Sequence, residues 1–246
     1  MKVTLLNPEQ VKNLFKNWSV TSSMCYGSTI NPDNPEAIGK HCMKSGHFSG
    51  SRGDYIKFRV DDVPRFEVDQ AVRHEIGVFK NVASFRYISK NDFRYSAPTE
   101  IFDNQELFNR YNEHMDNTME LYSDIQDYVY KKTGSHERSN ESARYVLTMS
   151  THTSFVIGYT IEAFIHLCNS RLCVRAEDNI REMTTLMKQE VLKVLPELES
   201  ELVPNCVKLM YCPEGKSGCG AYPTKAQVQR YIKLGKKVIE KETNNA

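Results

Sequence analysis

The sequence predicts one α/β (α+β) domain, and three observations carry that expectation. Residues 2–6 and 55–60 are short segments of strand character, the second alternating apolar and polar side chains as a half-buried strand does. Longer stretches repeat apolar residues at the three-, four- and seven-residue steps of a helix face. A chain of 246 residues that is 40% apolar and 26% charged has the composition of a globular domain with an ordinary core.

Taken in order, a helix is expected around 8–18, and residues 46–54 (GHFSGSRGD) form a glycine-rich loop before the second strand. Residues 64–75 form a helix leading into Arg73-His74-Glu75, and 76–103 are irregular with a strand at 84–88 (SFRYI). Over 104–132, Leu107, Tyr111, Met115, Tyr122, Ile125 and Val129 share one helix face, and Gly134 suits the C-cap. A short capped helix is expected at 140–148 and a buried helix over the apolar run 154–168. Ile180, Met183, Met187, Val191 and Val194 mark a further amphipathic helix. Residues 204–224 are a Cys/Gly/Pro loop and 224–242 a basic helix; with no internal repeat, residues 1–246 read as a single domain.

Charge and cysteine content narrow the class. A net charge of +1 does not indicate a nucleic-acid surface, so any phosphate must be held by local arginines. No apolar run approaches the roughly 20 residues needed to span a bilayer, so no membrane partner is expected. The N-terminal MKVTLLN turns polar too soon for a secretory segment, and the seven cysteines are odd in number. A reducing cytoplasm is expected, with thiols or metal ligands in place of disulfides.

Four blocks carry chemistry. They are Gly46-His47-Phe48-Ser49; Gln70 to Glu75 followed by Ser84-Phe85-Arg86-Tyr87; Ala143-Arg144 to Leu147; and His166 to Arg171 followed by Arg175-Ala176 and Ile180. Arg144 and Arg171 stand among apolar neighbours, and a buried guanidinium requires an anionic partner. With no run of acids beside them, a phosphate or an ionisable ligand is the expected partner, because the guanidinium fork matches such groups.

In order and spacing these blocks resemble the flavin-dependent thymidylate synthases, over about residues 46–195. The resemblance implies that family's fold, a mixed sheet with long helices. It implies reductive methylation of dUMP to dTMP, with methylenetetrahydrofolate giving the carbon, FAD carrying the hydride and NADPH reducing the flavin. It places substrate contacts at Gln70, Arg73, Ser84, Arg86, Arg144 and Arg171. Arg171 is the catalytic residue, its charge favouring the pyrimidine deprotonated at N3. Cofactor contacts fall at His47, Ser49, Arg73, His74, Glu75, Thr160, Glu162 and His166. A homotetramer with active sites formed between subunits is implied.

The chain departs from the pattern at charged positions. Glu75 and Glu162 stand where the family has arginines, and Arg52 and Arg175 stand where it has other residues. This reads as a rearranged charge network, in which each glutamate needs a cationic partner. Two other functions fit the same residues: a pyrimidine deoxynucleotide hydroxymethylase of this fold, and a non-catalytic nucleotide-binding homologue. Separately, Cys173, Cys206, Cys212 and Cys219 supply four thiolates for zinc or an iron–sulfur cluster, although the spacing is not a CxxC knuckle.

Overall fold

A computed structural model describes residues 1–89 and 94–243, with side chains to residue 235. The chain begins β1 (Lys2–Leu5), α1 (Pro8–Lys12), α2 (Leu14–Tyr26) and α3 (Ala37–Lys44), then β2 (Ile56–Pro64), α4 (Arg65–Ala71) and β3 (Val78–Val82). It continues through α5 (Gln105–Thr133), α6 (His136–Ala143), β4 (His152–Tyr159), α7 (Ile161–Arg171) and α8 (Asp178–Leu192). It closes with α9 (Asn205–Leu209) and α10 (Lys225–Thr243). Two compact units result, Met1–Leu6 with Lys57–Gly158 and Asn7–Ile56 with Tyr159–Ala246.

The first unit holds the sheet. Its strands run in the order β1-β2-β4-β3 and are antiparallel, where the resemblance implied a mixed sheet. In β1 and β2, Lys2 faces Asp61 and Leu5 faces Phe58. Phe58 and Val60 point inward from β2, and Thr153, Phe155 and Ile157 from β4, with the period of two that a half-buried strand requires. At Asp62 the inward set shifts phase to Val63, and Asp62 itself has φ 62°, a one-residue slip of the kind a bulge produces. The slip turns the Asp62 carboxylate toward Arg94 Nη1 at 3.1 Å and His152 Nδ1 at 2.8 Å, while His152 Nε2 meets Ser96 Oγ at 2.8 Å. The loop before α5 is thereby tied to β2 and β4. Beside this, the Phe79 ring lies across bare backbone at Gly158: a Cβ there would stand 2.0 Å from Phe79 Cε1. Helix α5 is capped by Asn104, which accepts from Leu107 N at 3.0 Å, and ends on left-handed Gly134, as the sequence predicts.

The second unit is helical. Val11, Leu14, Phe15 and Trp18 are fully or almost fully buried, as are Ile161, Phe164 and Leu167 of α7 and Ile180, Met183, Met187 and Val191 of α8. Four of the five residues predicted from their spacing form the α8 stripe, and the fifth, Val194, lies beyond the helix and is half-buried. Thr160 caps α7 by accepting from Ala163 N at 3.3 Å, and Glu177 caps α8 by accepting from Ile180 N at 3.2 Å.

Three expectations are corrected. The strand lies at Val78–Val82, and residues 85–87 of the expected SFRYI strand are a turn. The apolar Val82 and Ala83 end the paired segment, and Ala83 N still reaches Ser154 O, so pairing ends just before the predicted segment begins. The apolar run 154–168 is half strand and half helix: Thr160 ends β4 and caps α7, and a purely apolar run does not reveal that change of period. The short helix expected at 140–148 begins earlier, at His136, where Ser135 supplies the cap, and gives way to a 3₁₀ turn at Arg144–Val146.

Candidate active site

In the first unit, β2 runs directly into α4, whose leading amides at Arg65 and Phe66 donate to Thr151 O and Met149 O. This docking frames a cavity of about 410 Å³ whose polar wall includes Arg65, Ser84, Arg144 and Thr148, with Leu147 and Phe85 supplying apolar surface. Two residues of the predicted substrate set, Ser84 and Arg144, thus line one space. A third joins them indirectly: Arg86 Nη2 lies 2.5 Å from Glu137 Oε1 and its Nε lies 3.9 Å from Glu141 Oε2, while Arg144 Nη2 lies 3.7 Å from Glu141 Oε1. Glu137 and Glu141 are one helical turn apart on α6, so one carboxylate face holds both guanidiniums. Gln70 sits in the last turn of α4, Arg73, His74 and Glu75 follow the helix just after its C-cap Val72, and Arg73 and Glu75 are exposed.

In the second unit, left-handed Gly46 (φ 71°) turns the chain so that His47 N donates to Cys42 O at 2.8 Å. His47 and Ser49 are exposed at the start of a 3₁₀ turn spanning Phe48–Ser51. Arg52, at the end of that turn, reaches across to α7, where its Nη2 lies 3.2 Å from Glu162 Oε2. Glu162 and His166 are one turn apart on the exposed face of α7, Thr160 caps that helix, and Arg171 is its last residue, half-buried. The guanidinium there is favoured by the carbonyl end of the helix. Glu162 therefore has the cationic partner that a rearranged charge network requires. Glu75 is exposed, and no ion pair to it is found among the described residues.

The structure corrects the expectation for Arg144. It is exposed, and its partner is an acid three residues earlier on α6; a helical i,i+3 pair is invisible when acids are sought only as a run. The sequence reading also missed Arg65 in the cavity wall and the acids Glu137 and Glu141. The only available signal was the four-residue spacing of those acids just before Arg144.

No cysteine of the motif blocks is set up as a nucleophile. Cys168 is buried, and burial pushes its thiol up to about 12, so it stays protonated and packs as a small apolar group. Cys173, Cys206, Cys212 and Cys219 all line a second cavity, of about 120 Å³. They are not already gathered as ligands: among the described residues no group of three or more His, Cys, Asp or Glu side chains is placed to hold a metal ion. A ready-formed metal site is therefore not part of this structure.

A small antiparallel sheet with helices, an arginine-lined cavity in one unit and an exposed His/Ser/Glu rim in the other make this an α/β protein. Comparison with known proteins agrees. Residues 9–197 match the family described as thymidylate synthase complementing protein. The chain is 32% identical to a flavin-dependent thymidylate synthase of Nitratidesulfovibrio vulgaris, over 74% of each chain. It is 30% identical to one of Clostridium tetani over 72% of this chain and 74% of the relative, and 29% identical to one of Pyrococcus abyssi over 85% of each. The chain belongs to the flavin-dependent thymidylate synthase family. Among the described residues no helix is long and apolar enough to cross a membrane.

Proposed function

We propose that this protein is an FAD-dependent thymidylate synthase that converts dUMP to dTMP with methylenetetrahydrofolate and NADPH, acting in the cytoplasm as a homotetramer. The observation that carries the proposal is the cavity in which Ser84 and Arg144 stand together with Arg65, next to Arg86. A nucleotide monophosphate is the ligand such a wall fits, since guanidinium forks bind phosphate oxygens bidentately and a hydroxyl adds a further donor. Binding would draw Arg86 and Arg144 away from Glu137 and Glu141, exchanging partly exposed ion pairs for charge-assisted bonds to phosphate. Gln70 and Arg73 complete the substrate contacts.

The exposed rim of the second unit fits a flavin. His47, Ser49 and His166 offer polar contacts, and Thr160 fixes the start of the helix bearing Glu162. The charge of Glu162 is already balanced by Arg52, so this rim does not repel a pyrophosphate. As the family resemblance implies, Arg73, His74 and Glu75 are further cofactor contacts. Bound FAD supplies the hydride that completes the methyl group. Arg171 holds positive charge beside the pyrimidine and stabilises its N3-deprotonated form, which makes C5 electron-rich without a cysteine nucleophile.

The test is the visible spectrum of the purified protein with and without dUMP. A flavin absorbance that shifts on dUMP addition, and does not shift for Arg144→Ala at the same concentration, is the expected result. Protein that takes up neither flavin nor dUMP would overturn the reading.

A further inference from the structure

Helix α6 is held in one rotation. Ser135 caps it by accepting from Arg138 N at 3.3 Å, and the His136 ring stacks on Tyr130 with centroids 4.2 Å apart. Ser139, Asn140 and Ala143 form its buried face. Gln126 of α5 donates from Nε2 to Asn140 Oδ1 at 2.5 Å and to Ser89 Oγ at 3.0 Å. One amide thus fastens both α6 and the chain just beyond the turn that carries Arg86. That turn is closed by Ser84 O, which accepts from Tyr87 N at 3.1 Å, and the Arg86 guanidinium lies 5.5 Å from the Tyr87 ring centroid. Glu137, Glu141 and Arg144 follow one another at steps of four and three, so they share a second, partly exposed face of the same helix.

The carboxylates on that face hold the two arginines incompletely. Glu137 Oε1 takes Arg86 Nη2 at 2.5 Å. Glu141 lies 3.9 Å from Arg86 Nε and 3.7 Å from Arg144 Nη2, attractive separations that are too long for hydrogen bonds. Arg86 Nε is buried and has no hydrogen-bond partner among the described residues. The Nε and Nη2 edge of a guanidinium is the fork that grips two oxygens of one oxyanion. Here Glu137 fills half of that fork. A tetrahedral oxyanion can offer two oxygens to Arg86 and another to Arg144, and so make bonds that the glutamates leave unmade. A single-atom anion such as chloride can only replace the one bond that Glu137 already makes.

We propose that Glu137 and Glu141 are a built-in competitor for the anion site: they occupy Arg86 and Arg144 in the unliganded protein and yield them to a phosphate monoester but not to simple monoanions. The proposal rests on the neighbouring cavity being the nucleotide site. Two effects follow. Part of the ligand's binding energy goes into displacing the glutamates, which lowers the apparent affinity for every anion. Only an oxyanion that fills the fork recovers that loss, so selectivity is gained at the expense of affinity.

The test is calorimetric titration of the full chain with dUMP and, separately, with inorganic phosphate. It compares wild type, Glu137→Gln, Glu141→Gln and the double variant, whose side chains keep the shape and lose the charge. The double variant is expected to bind both ligands about three- to tenfold more tightly, the range that loss of two partly exposed ion pairs allows. Glu113→Gln removes the same charge from the exposed surface of α5 and is expected to change neither affinity. Each dUMP titration is repeated with sodium chloride replaced by sodium gluconate at equal ionic strength, which separates competition by chloride from screening. Wild type is expected to bind dUMP equally in the two salts, and the double variant at least about twofold more weakly in chloride. Unchanged or weaker phosphate binding in the double variant would overturn the proposal, as would wild type that is as chloride-sensitive as the variant. Wild type that binds phosphate but not dUMP would overturn the nucleotide assignment, while the phosphate titrations would still decide the role of the glutamates. Wild type and double variant that bind neither ligand would overturn both.

Discussion

The Arg52–Glu162 pair gives a prediction whose size follows from its geometry. At 3.2 Å, two unit charges attract by about 1.3 kcal/mol in water and about 5 kcal/mol at an effective dielectric of 20. The side chains are 64% and 47% exposed, which places the pair near the aqueous limit. Its net contribution to stability is then about 0.2–1 kcal/mol. Arg52→Ala should barely move a urea unfolding midpoint. In the proposed cofactor site the consequence is larger. Without Arg52, the Glu162 carboxylate faces the flavin pyrophosphate uncompensated, a repulsion of about 1–2 kcal/mol, or roughly 5- to 30-fold in Kd. The assay is quenching of FAD fluorescence on titration with flavin-free protein, for Arg52→Ala, Glu162→Gln and the double variant. Arg52→Ala should weaken FAD binding, and adding Glu162→Gln should recover most of the loss, so the two changes are strongly non-additive. Unchanged affinity in Arg52→Ala, or a double variant no tighter than the single, would show that the pair is a surface contact unrelated to the cofactor.

Three further outcomes are expected. Gly158→Ala forces a methyl to within 2.0 Å of the Phe79 ring and should destabilise the protein by about 1–3 kcal/mol in urea unfolding, with Phe79→Ala relieving part of the clash. The His152 hydrogen bond, then that of Arg94, holds the Asp62 carboxyl below its usual range, so its stabilisation is complete above the unfolded carboxyl value of about 4 and is lost as pH falls through the lower folded value. Asp62→Asn, which tolerates the left-handed backbone at this position, should flatten that acid limb in unfolding midpoints measured across pH. Arg171→Ala should keep the fold and lose turnover by a factor on the order of 10²–10³, and near-normal turnover in that variant would remove Arg171 from the chemistry.

The sequence revealed some of this structure directly, for identifiable reasons. Helices α5 and α8 were legible because their apolar residues keep one period from end to end and each has a recognisable terminus or stripe. The junction of β4 and α7 was hidden because both sides are apolar, and only Thr160 marks where one period replaces the other. The motif blocks named Ser84, Arg86 and Arg144, but not that α6 presents Glu137 and Glu141 to the two arginines. That pairing depends on helix phase and on how α6 packs beside the turn at 85–87, neither of which a linear motif encodes. The need of Glu162 for a cation was legible from charge alone, and Arg52 meets it from 110 residues away in the chain.

The mass of the product tests the proposed reaction most directly. Purified protein loaded with FAD is incubated with dUMP, methylenetetrahydrofolate and NADPH, and the nucleotide is identified by mass spectrometry. The expected product is dTMP, formed only when the reductant is present and lost in Arg171→Ala. A hydroxymethyl nucleotide in its place, or unchanged dUMP under conditions where flavin and dUMP are both bound, would contradict it.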